Sequence, residues 1–230
     1  PFYFENAAKL SAVAEMWFSE REGRPLRDFV FVTVSGGLGT GVIINGQVLQ
    51  GAYSAAAEFG HTTLYADGLR CGCGSTGCWE QYASDFALNR LYSELSEQSG
   101  AGKADVEASA IVRMAREGHP VARPSLEQTA AHVGTGFANL IWALNPEAIV
   151  VGDWLAEAWD LVEEIVWGVV RSRVAGYDLS GVRIFPSRHV ADSSILGAVA
   201  LVVTRFFTSF DPGDERRLSH SVVMSTQSAG

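Results

Sequence analysis

The stretch from residue 58 to residue 80 reads EFGHTTLYADGLRCGCGSTGCWE, and it carries the most specific pattern in the chain. Its histidine and cysteines follow the spacing H-x9-C-x-C-x4-C, and they include all three cysteines of the 230 residues. Thiolates and imidazoles bind zinc in a tetrahedron, and a structural zinc site uses four protein ligands, which leaves no open position for a reactive water. The spacing therefore predicts a structural zinc site whose ligands are His61, Cys71, Cys73 and Cys78.

The alternative is that these cysteines are simply buried or joined in disulfides. An odd number of cysteines, two of them separated by a single residue, is unfavourable for a disulfide framework. Thiolate ligands persist in a reducing compartment. We therefore expect a protein of the cytoplasm.

Composition narrows the functional classes further. The formal net charge of −9 argues against nucleic-acid binding by this segment itself. The longest apolar run, residues 196–203, is far shorter than the roughly 20 residues that a bilayer span requires, so no membrane contact is expected. No signal peptide is recognisable. The first four residues read as a strand already in progress, with no initiator Met, so we expect further chain upstream of Pro1.

The order of predicted elements indicates an α/β domain with a mixed sheet, since a strand–loop–strand unit precedes helix–strand units. Residues 212–230 lack hydrophobic periodicity and are predicted to be disordered. The predicted elements are a helix over 6–20, strands over 28–34 and 42–44, helices over 83–97, 106–117 and 125–144, a strand over 148–152, a helix over 155–174, a strand over 182–186 and a helix over 193–210.

A glycine-rich loop, SGGLGTG at 35–41, lies between two predicted strands. Glycines there would let backbone N–H groups approach a phosphate closely. The loop is not a Walker A motif, and it lacks the helix that follows a dinucleotide-binding loop. A tight hairpin bend accounts for the same glycines equally well.

Two glutamates bracket the cysteine–histidine stretch, Glu58 before it and Glu80 after it. A bound metal would fix both ends of the stretch and hold the two carboxylates in defined positions. Ionised carboxylates accept two or more hydrogen bonds, which suits the adjacent hydroxyls of a sugar. The alternative is that both are ordinary surface glutamates.

The stretch 58–80 resembles the signature of the ROK family, which comprises bacterial sugar kinases and sugar-responsive repressors. The resemblance covers most of the chain: the loop at 35–41 is similar to the family's second phosphate loop, NPEAIVVG at 145–152 to its adenosine-side motif, and DSSILGA at 192–198 to its closing helix. The segment CWEQYAS at 78–84 is more similar to the xylose-type repressors than to the kinases.

The resemblance implies an actin-like, ribonuclease H-like ATPase fold with a sugar in the cleft and zinc bound by one histidine and three cysteines. The implied organisation is a remnant of the small lobe at 1–23, a large α/β lobe at 24–192 with the zinc loop at 58–80, and a closing helix at 193–211. The sugar would be held by Asn6, Glu58, His61 and Glu80. Gly36, Gly37, Gly39 and Gly152 would face phosphate and nucleotide if that function is retained.

Three departures from the family pattern favour a repressor over a kinase. Family kinases carry an Asp that acts as general base before a helix ending in Ala-Glu, and counting back from Glu15 places Ala7 at that position. The adenosine-side Gly-Gly is Gly152-Asp153, which adds a negative charge where a nucleotide would approach. The Asp-x-Gly-Gly phosphate loop that opens the family fold is also absent from this sequence, but further chain upstream of Pro1 would explain that absence equally well.

Three hypotheses follow. The first is the sugar-binding effector domain of a ROK-type repressor that contacts DNA only through an upstream domain, with no catalytic residue. The second is a glucokinase-like enzyme that uses ATP and Mg²⁺. The third is a zinc-stabilised scaffold that has lost its ligand. The resemblance also implies a homodimer or homotetramer.

Overall fold

The computed structural model describes residues 6–21, 24–188 and 193–208. The strand predicted at the start of the chain, residues 209–211 of the closing helix and the tail predicted to be disordered lie outside these ranges.

The elements predicted within these ranges are present in the predicted order, with differences at several boundaries, and several short elements were not predicted. The helices are α1 (Ala7–Phe18), α2 (Glu80–Ala83), α3 (Asp85–Gln98), α4 (Ala108–Arg116), α5 (Ala122–Leu144), α6 (Asp153–Glu157), α7 (Trp159–Arg173) and α8 (Ser193–Thr208). The strands are β1 (Glu20–Arg21), β2 (Arg24–Pro25), β3 (Phe29–Thr33), β4 (Gly39–Ile44), β5 (Gln47–Val48), β6 (Ala148–Val151) and β7 (Arg183–Pro186).

Two of these boundaries correct the sequence prediction. Gly39 belongs to β4, where it pairs with Thr33, so the glycine-rich loop is shorter than predicted. The helix predicted over 155–174 is interrupted at Ala158. Residues five apart in one helix lie about 140° apart around its axis, whereas the interruption allows both Trp154 and Trp159 to be buried.

The central sheet has five strands in the order β5-β4-β3-β6-β7. Strand β3 pairs antiparallel with β4 and parallel with β6, and β6 pairs parallel with β7. The mixed sheet predicted from the element order is therefore confirmed.

Helices cover both faces of this sheet because side chains alternate along each strand. Phe29 and Phe31 of β3 belong to a buried cluster that includes Ala12 of α1. Val30 and Val32 belong to the larger cluster on the opposite face, where α5 and α7 pack. Each such fully buried side chain contributes about 1.5–3 kcal/mol through removal of apolar surface from water.

Two glycines allow α1 to lie unusually close to its neighbours. A Cβ at Gly41 of β4 would lie 2.2 Å from the Ala8 carbonyl oxygen, and a Cβ at Gly197 of α8 would lie 1.8 Å from the Leu10 carbonyl oxygen. Any larger residue would push α1 outward. These contacts fix the start of α1 beside the glycine-rich loop. Within the described ranges, no helix is both long and apolar enough to cross a membrane.

Candidate functional site

The predicted metal ligands converge on one point. The ligand atoms of His61, Cys71, Cys73 and Cys78 all lie within 4.8 Å of one another. The sulfurs of Cys73 and Cys78 are 3.6 Å apart, and the Cys71 sulfur is 3.7 Å from Nδ1 of His61. Zinc–sulfur bonds of about 2.3 Å place two sulfurs of a tetrahedron about 3.8 Å apart. This cluster could hold a metal ion.

Local hydrogen bonds fold the chain so that these ligands meet. Isolated bridges pair Thr63 with Cys78 and Arg70 with Thr76. Gly77 has φ +71°, and a Cβ there would lie 1.6 Å from the Tyr65 carbonyl oxygen. Because only glycine accepts this conformation and this contact without strain, Gly77 sets the position of the last cysteine.

The environments of the thiols differ. Burial raises the pKa of Cys78 to about 12, and its two cysteine neighbours contribute in the same direction. A backbone hydrogen bond from Ser75, together with Cys71 and Cys78, lowers the pKa of the exposed Cys73. A thiolate at Cys78 therefore requires a compensating cation, which is the chemistry that a thiolate-bound metal supplies.

Trp79 anchors the segment that carries His61 and the three cysteines to the core. Its indole is buried, donates through Nε1 to the His132 carbonyl at 3.0 Å, and meets Phe137 edge to face at 6.1 Å. Gly136 makes room for it, since a Cβ there would lie 1.9 Å from the indole. The segment is therefore packed against α5 rather than attached only by its ends.

A cleft of about 300 Å³ lies next to the metal ligands and opens between α1, the glycine-rich loop and the start of α2. The structure brings all four predicted sugar-site residues to this cleft. Its lining includes Asn6, Glu58, His61 and Glu80, together with Ala7.

Hydrogen bonds orient the polar groups of the cleft. Nδ2 of Asn6 donates to Oε1 of Glu58 at 3.4 Å, while Oδ1 of Asn6 caps α1 by accepting from the Ala8 N–H at 2.8 Å. The Glu80 carboxylate accepts from the Leu38 N–H at 3.2 Å and lies 3.7 Å from the Cys71 sulfur. Glu80 thus lies between the cysteine–histidine cluster and the glycine-rich loop and contacts both.

Ala7 is the first residue of α1 and is exposed at this cleft. Its methyl group can neither accept nor donate a proton. The structure therefore places a chemically inert side chain at the mouth of the cleft, beside two carboxylates.

Of the four residues predicted to face phosphate, two lie within the short glycine-rich loop and two lie outside it. Gly36 and Gly37 have φ +67° and +128°, and a Cβ at Gly37 would lie 2.7 Å from Oε2 of Glu80. Gly39 and Gly152 lie at the ends of neighbouring elements instead, Gly39 as the first residue of β4 and Gly152 as the N-cap of α6.

The fold and the site define a mixed α/β domain with a polar cleft beside a cysteine–histidine cluster. A model of the ROK family matches residues 1–205, and the chain belongs to that family. The actin-like sugar-kinase fold implied by the sequence is thereby confirmed.

Both functional branches of the family are similar to this chain. It is 39% identical over 173 residues to a glucokinase of Streptomyces coelicolor, which covers 70% of the chain and 54% of the relative. It is 31% identical over 211 residues to a xylose repressor of Caldicellulosiruptor bescii, and this match covers 89% of the chain and 52% of the repressor. The chain thus spans about half the length of these curated relatives.

Among solved structures, a ROK glucokinase from Streptomyces griseus in complex with glucose and AMPPNP superposes with a TM-score of 0.78. The sequence identity is 32%, and the match covers 86% of this chain and 66% of the glucokinase. These similarities establish the family and the fold without separating a kinase from a repressor.

Proposed function

We propose that this chain is the sugar-binding effector domain of a ROK-type transcriptional repressor and does not transfer phosphate. The observation that carries the proposal is Ala7 at the cleft, where the family resemblance expects the aspartate that acts as general base. Loss of a positioned general base costs about 100- to 10,000-fold in rate.

The remaining polar groups of the cleft suit binding better than catalysis. Glu58 and Glu80 already accept hydrogen bonds from Asn6 and from the Leu38 N–H. Carboxylate oxygens retain further lone pairs, so each can also accept from a sugar hydroxyl. The cleft volume of about 300 Å³ lies at the lower end of the range for small-molecule sites, as a monosaccharide requires.

Zinc is the metal that best fits the ligand set of three thiols and one imidazole. Four protein ligands give it a structural role: it would hold the segment between Glu58 and Glu80 in the shape that the sugar meets. His61 would both bind the metal and line the sugar cleft.

Regulation would follow from differential affinity. A sugar alters a regulator only if it binds one of two conformations more tightly than the other. We propose that the sugar shifts the arrangement of a cytoplasmic homodimer or homotetramer, and that DNA is contacted through residues outside the present sequence.

Calorimetry on the complete protein that contains this chain tests the proposal. Pentoses, hexoses and N-acetyl-hexosamines are titrated into the wild type, the variant Glu58→Gln and the control Glu117→Gln, whose exposed residue is the C-cap of α4 and does not line the cleft. Hydrogen bonds to charged groups contribute about 1.5–3 kcal/mol, so Glu58→Gln is expected to weaken the bound sugar by roughly 10- to 150-fold.

The same sugar is expected to change operator affinity, whereas Glu117→Gln is expected to bind sugar like the wild type. The proposal is wrong if no sugar binds and none alters operator affinity. Failure of every sugar to raise the melting temperature would favour a zinc-stabilised scaffold that has lost its ligand.

A second candidate, a glucokinase-like enzyme dependent on ATP and Mg²⁺, is favoured by the 39% identity to a glucokinase. Gly36 and Gly37 would then approach phosphates, and Mg²⁺ would neutralise developing charge. Sugar-dependent release of ADP is the observation that would select this function.

A further inference from the structure

The glycine-rich loop has an unusual pattern of hydrogen bonds. Five consecutive backbone N–H groups, from Val34 to Leu38, all donate to carboxylates of this same chain. Successive N–H groups that point toward a common side form an anion-binding concavity, the arrangement by which glycine-rich loops hold phosphates. Here internal carboxylates already occupy those donors.

Asp153 accepts the first two of these hydrogen bonds. Its Oδ2 receives the Val34 N–H at 2.8 Å and the Ser35 N–H at 3.1 Å, and it also accepts a hydrogen bond from the Thr33 hydroxyl. Asp153 has φ +53°, a left-handed conformation that is unfavourable for most residues. Three hydrogen bonds to one carboxylate oxygen offset that cost.

Asp85 accepts the next two hydrogen bonds of the loop. Its carboxylate oxygens receive the Gly36 N–H at 2.9 Å and the Gly37 N–H at 3.4 Å. The Asp85 N–H in turn donates to the Val34 carbonyl at 2.9 Å, so the start of α3 is tied to the loop in both directions. Glu80 completes the series at Leu38.

The pocket beside the loop is also lined by negatively charged groups. It has a volume of about 720 Å³, and no residue of its described lining carries a positive charge. Five carboxylates line it: Asp85, Asp105, Glu107, Asp153 and Glu157. A polyphosphate entering there would meet like charges and would find no lysine or arginine to neutralise it.

We infer that Asp85 and Asp153 are a built-in anion that takes the place of nucleotide phosphate on the N–H groups of residues 34–37, and that this chain therefore excludes ATP from the pocket beside the loop. The loop then serves as a rigid wall that joins β3, α3 and α6. This inference concerns the nucleotide side alone and holds whether or not the neighbouring cleft binds a sugar.

Calorimetric titration with Mg-ATP, and separately with pyrophosphate, tests the inference on the complete protein. The wild type is expected to show no binding below millimolar concentrations. The double variant Asp85→Ala/Asp153→Gly is expected to bind at least tenfold more tightly, because each like charge removed at contact distance from a phosphate changes affinity by about fivefold even in bulk water. Glycine at 153 also accepts the left-handed backbone.

The variant Asp85→Asn/Asp153→Asn is the matched control, since its amide oxygens still accept the loop N–H groups while both charges are gone. Its gain in affinity is expected to be smaller than that of the Ala/Gly variant. An equal gain would show that charge alone excludes the nucleotide, and would contradict occupation of the loop N–H groups as the cause. Micromolar binding of Mg-ATP by the wild type, or no gain in the folded Ala/Gly variant, would overturn the inference.

A measurement on the wild type keeps the inference testable if the double variant does not fold. The amide protons of residues 34–38 are expected to exchange slowly with solvent and to keep their NMR shifts when Mg-ATP is added. Shifts of these amides with Mg-ATP would contradict occupation by Asp85 and Asp153. Shifts with a sugar alone would instead report binding near Glu80, so the two proposals fail separately.

Discussion

The cysteine–histidine cluster (His61, Cys71, Cys73 and Cys78) and the glycine-rich loop are both short segments on which polar groups converge, but their electrostatic requirements differ. At the cluster, the ligand atoms of three thiols and one imidazole lie within 4.8 Å of one another. At the loop, five N–H groups meet carboxylates that the chain itself supplies. The first segment could hold an external metal ion, whereas the second already has its acceptors within the chain. This contrast predicts that the cleft beside the cysteine–histidine cluster binds a ligand, whereas the pocket beside the glycine-rich loop does not.

Loss of the proposed metal is expected to have the largest effect. Structural zinc contributes about 10–16 kcal/mol of apparent binding free energy in zinc-finger peptides. Cys78→Ser, or chelation, is therefore expected to remove one metal per chain and to lower the melting temperature by ten degrees or more. Elemental analysis and thermal unfolding check this, with Ser75→Ala in the same exposed turn as the control. Unchanged stability after complete loss of metal would contradict a structural role.

Replacement of the internal anion is expected to have the next largest effect. Asp153→Ala leaves the N–H groups of Val34 and Ser35 and the Thr33 hydroxyl without their acceptor. We expect a loss of about 1.5–3 kcal/mol in the free energy of unfolding. Asp153→Asn keeps an acceptor and is expected to lose less. Denaturant titration distinguishes the two, and equal losses would argue against the hydrogen bonds as the cause.

The anchoring of the metal-binding segment can be tested with a pair of identical substitutions. Gly136→Ala would place a methyl group 1.9 Å from the Trp79 indole, and overpacking of this kind costs about 1–3 kcal/mol. Gly168→Ala on α7 meets nothing within 4 Å and is expected to stabilise by roughly 0.5–1 kcal/mol through helix propensity. Effects of the same sign would show that Trp79 tolerates displacement.

A weaker effect is expected from pH. Burial lowers the pKa of His132, which packs against Tyr65 and Tyr82, and the charge of Arg90 adds to the shift. The unfolded chain therefore binds the proton first as the pH falls, and the free energy of unfolding decreases below the ordinary histidine pKa of 6.5. His132→Gln is expected to reduce this slope between pH 7 and about pH 5 in denaturant titrations. An unchanged slope would assign the pH dependence to other groups.

The convergence of His61 with the three cysteines was predictable from sequence because the four residues lie within a stretch of 18 and chelation imposes strict spacing. Strands β3, β6 and β7 were predictable because apolar β-branched runs such as 148–151 read clearly, whereas the two-residue strands β1, β2 and β5 are too short to show one. Each signal is local, and the local folding that it predicts does not depend on distant contacts.

The internal anion was not predictable, because it depends on contacts between distant segments. Asp153 reaches Val34 across 119 residues, and Asp85 reaches Gly36 across 49. Sequence identified Asp153 only as a negative charge near a nucleotide position. Asp85 follows a serine helix cap, where an acidic residue is ordinary, so no local pattern distinguished it. The boundary of β4 at Gly39 was missed because glycines in a strand resemble a loop.

The central claim is that the chain binds a sugar but not a nucleotide. It is tested most directly by a coupled assay of ADP release on the complete protein, with Mg-ATP and each sugar that raises the melting temperature. We predict sugar binding with no release above background. Turnover at ordinary kinase rates, about 1–100 per second, would contradict the account.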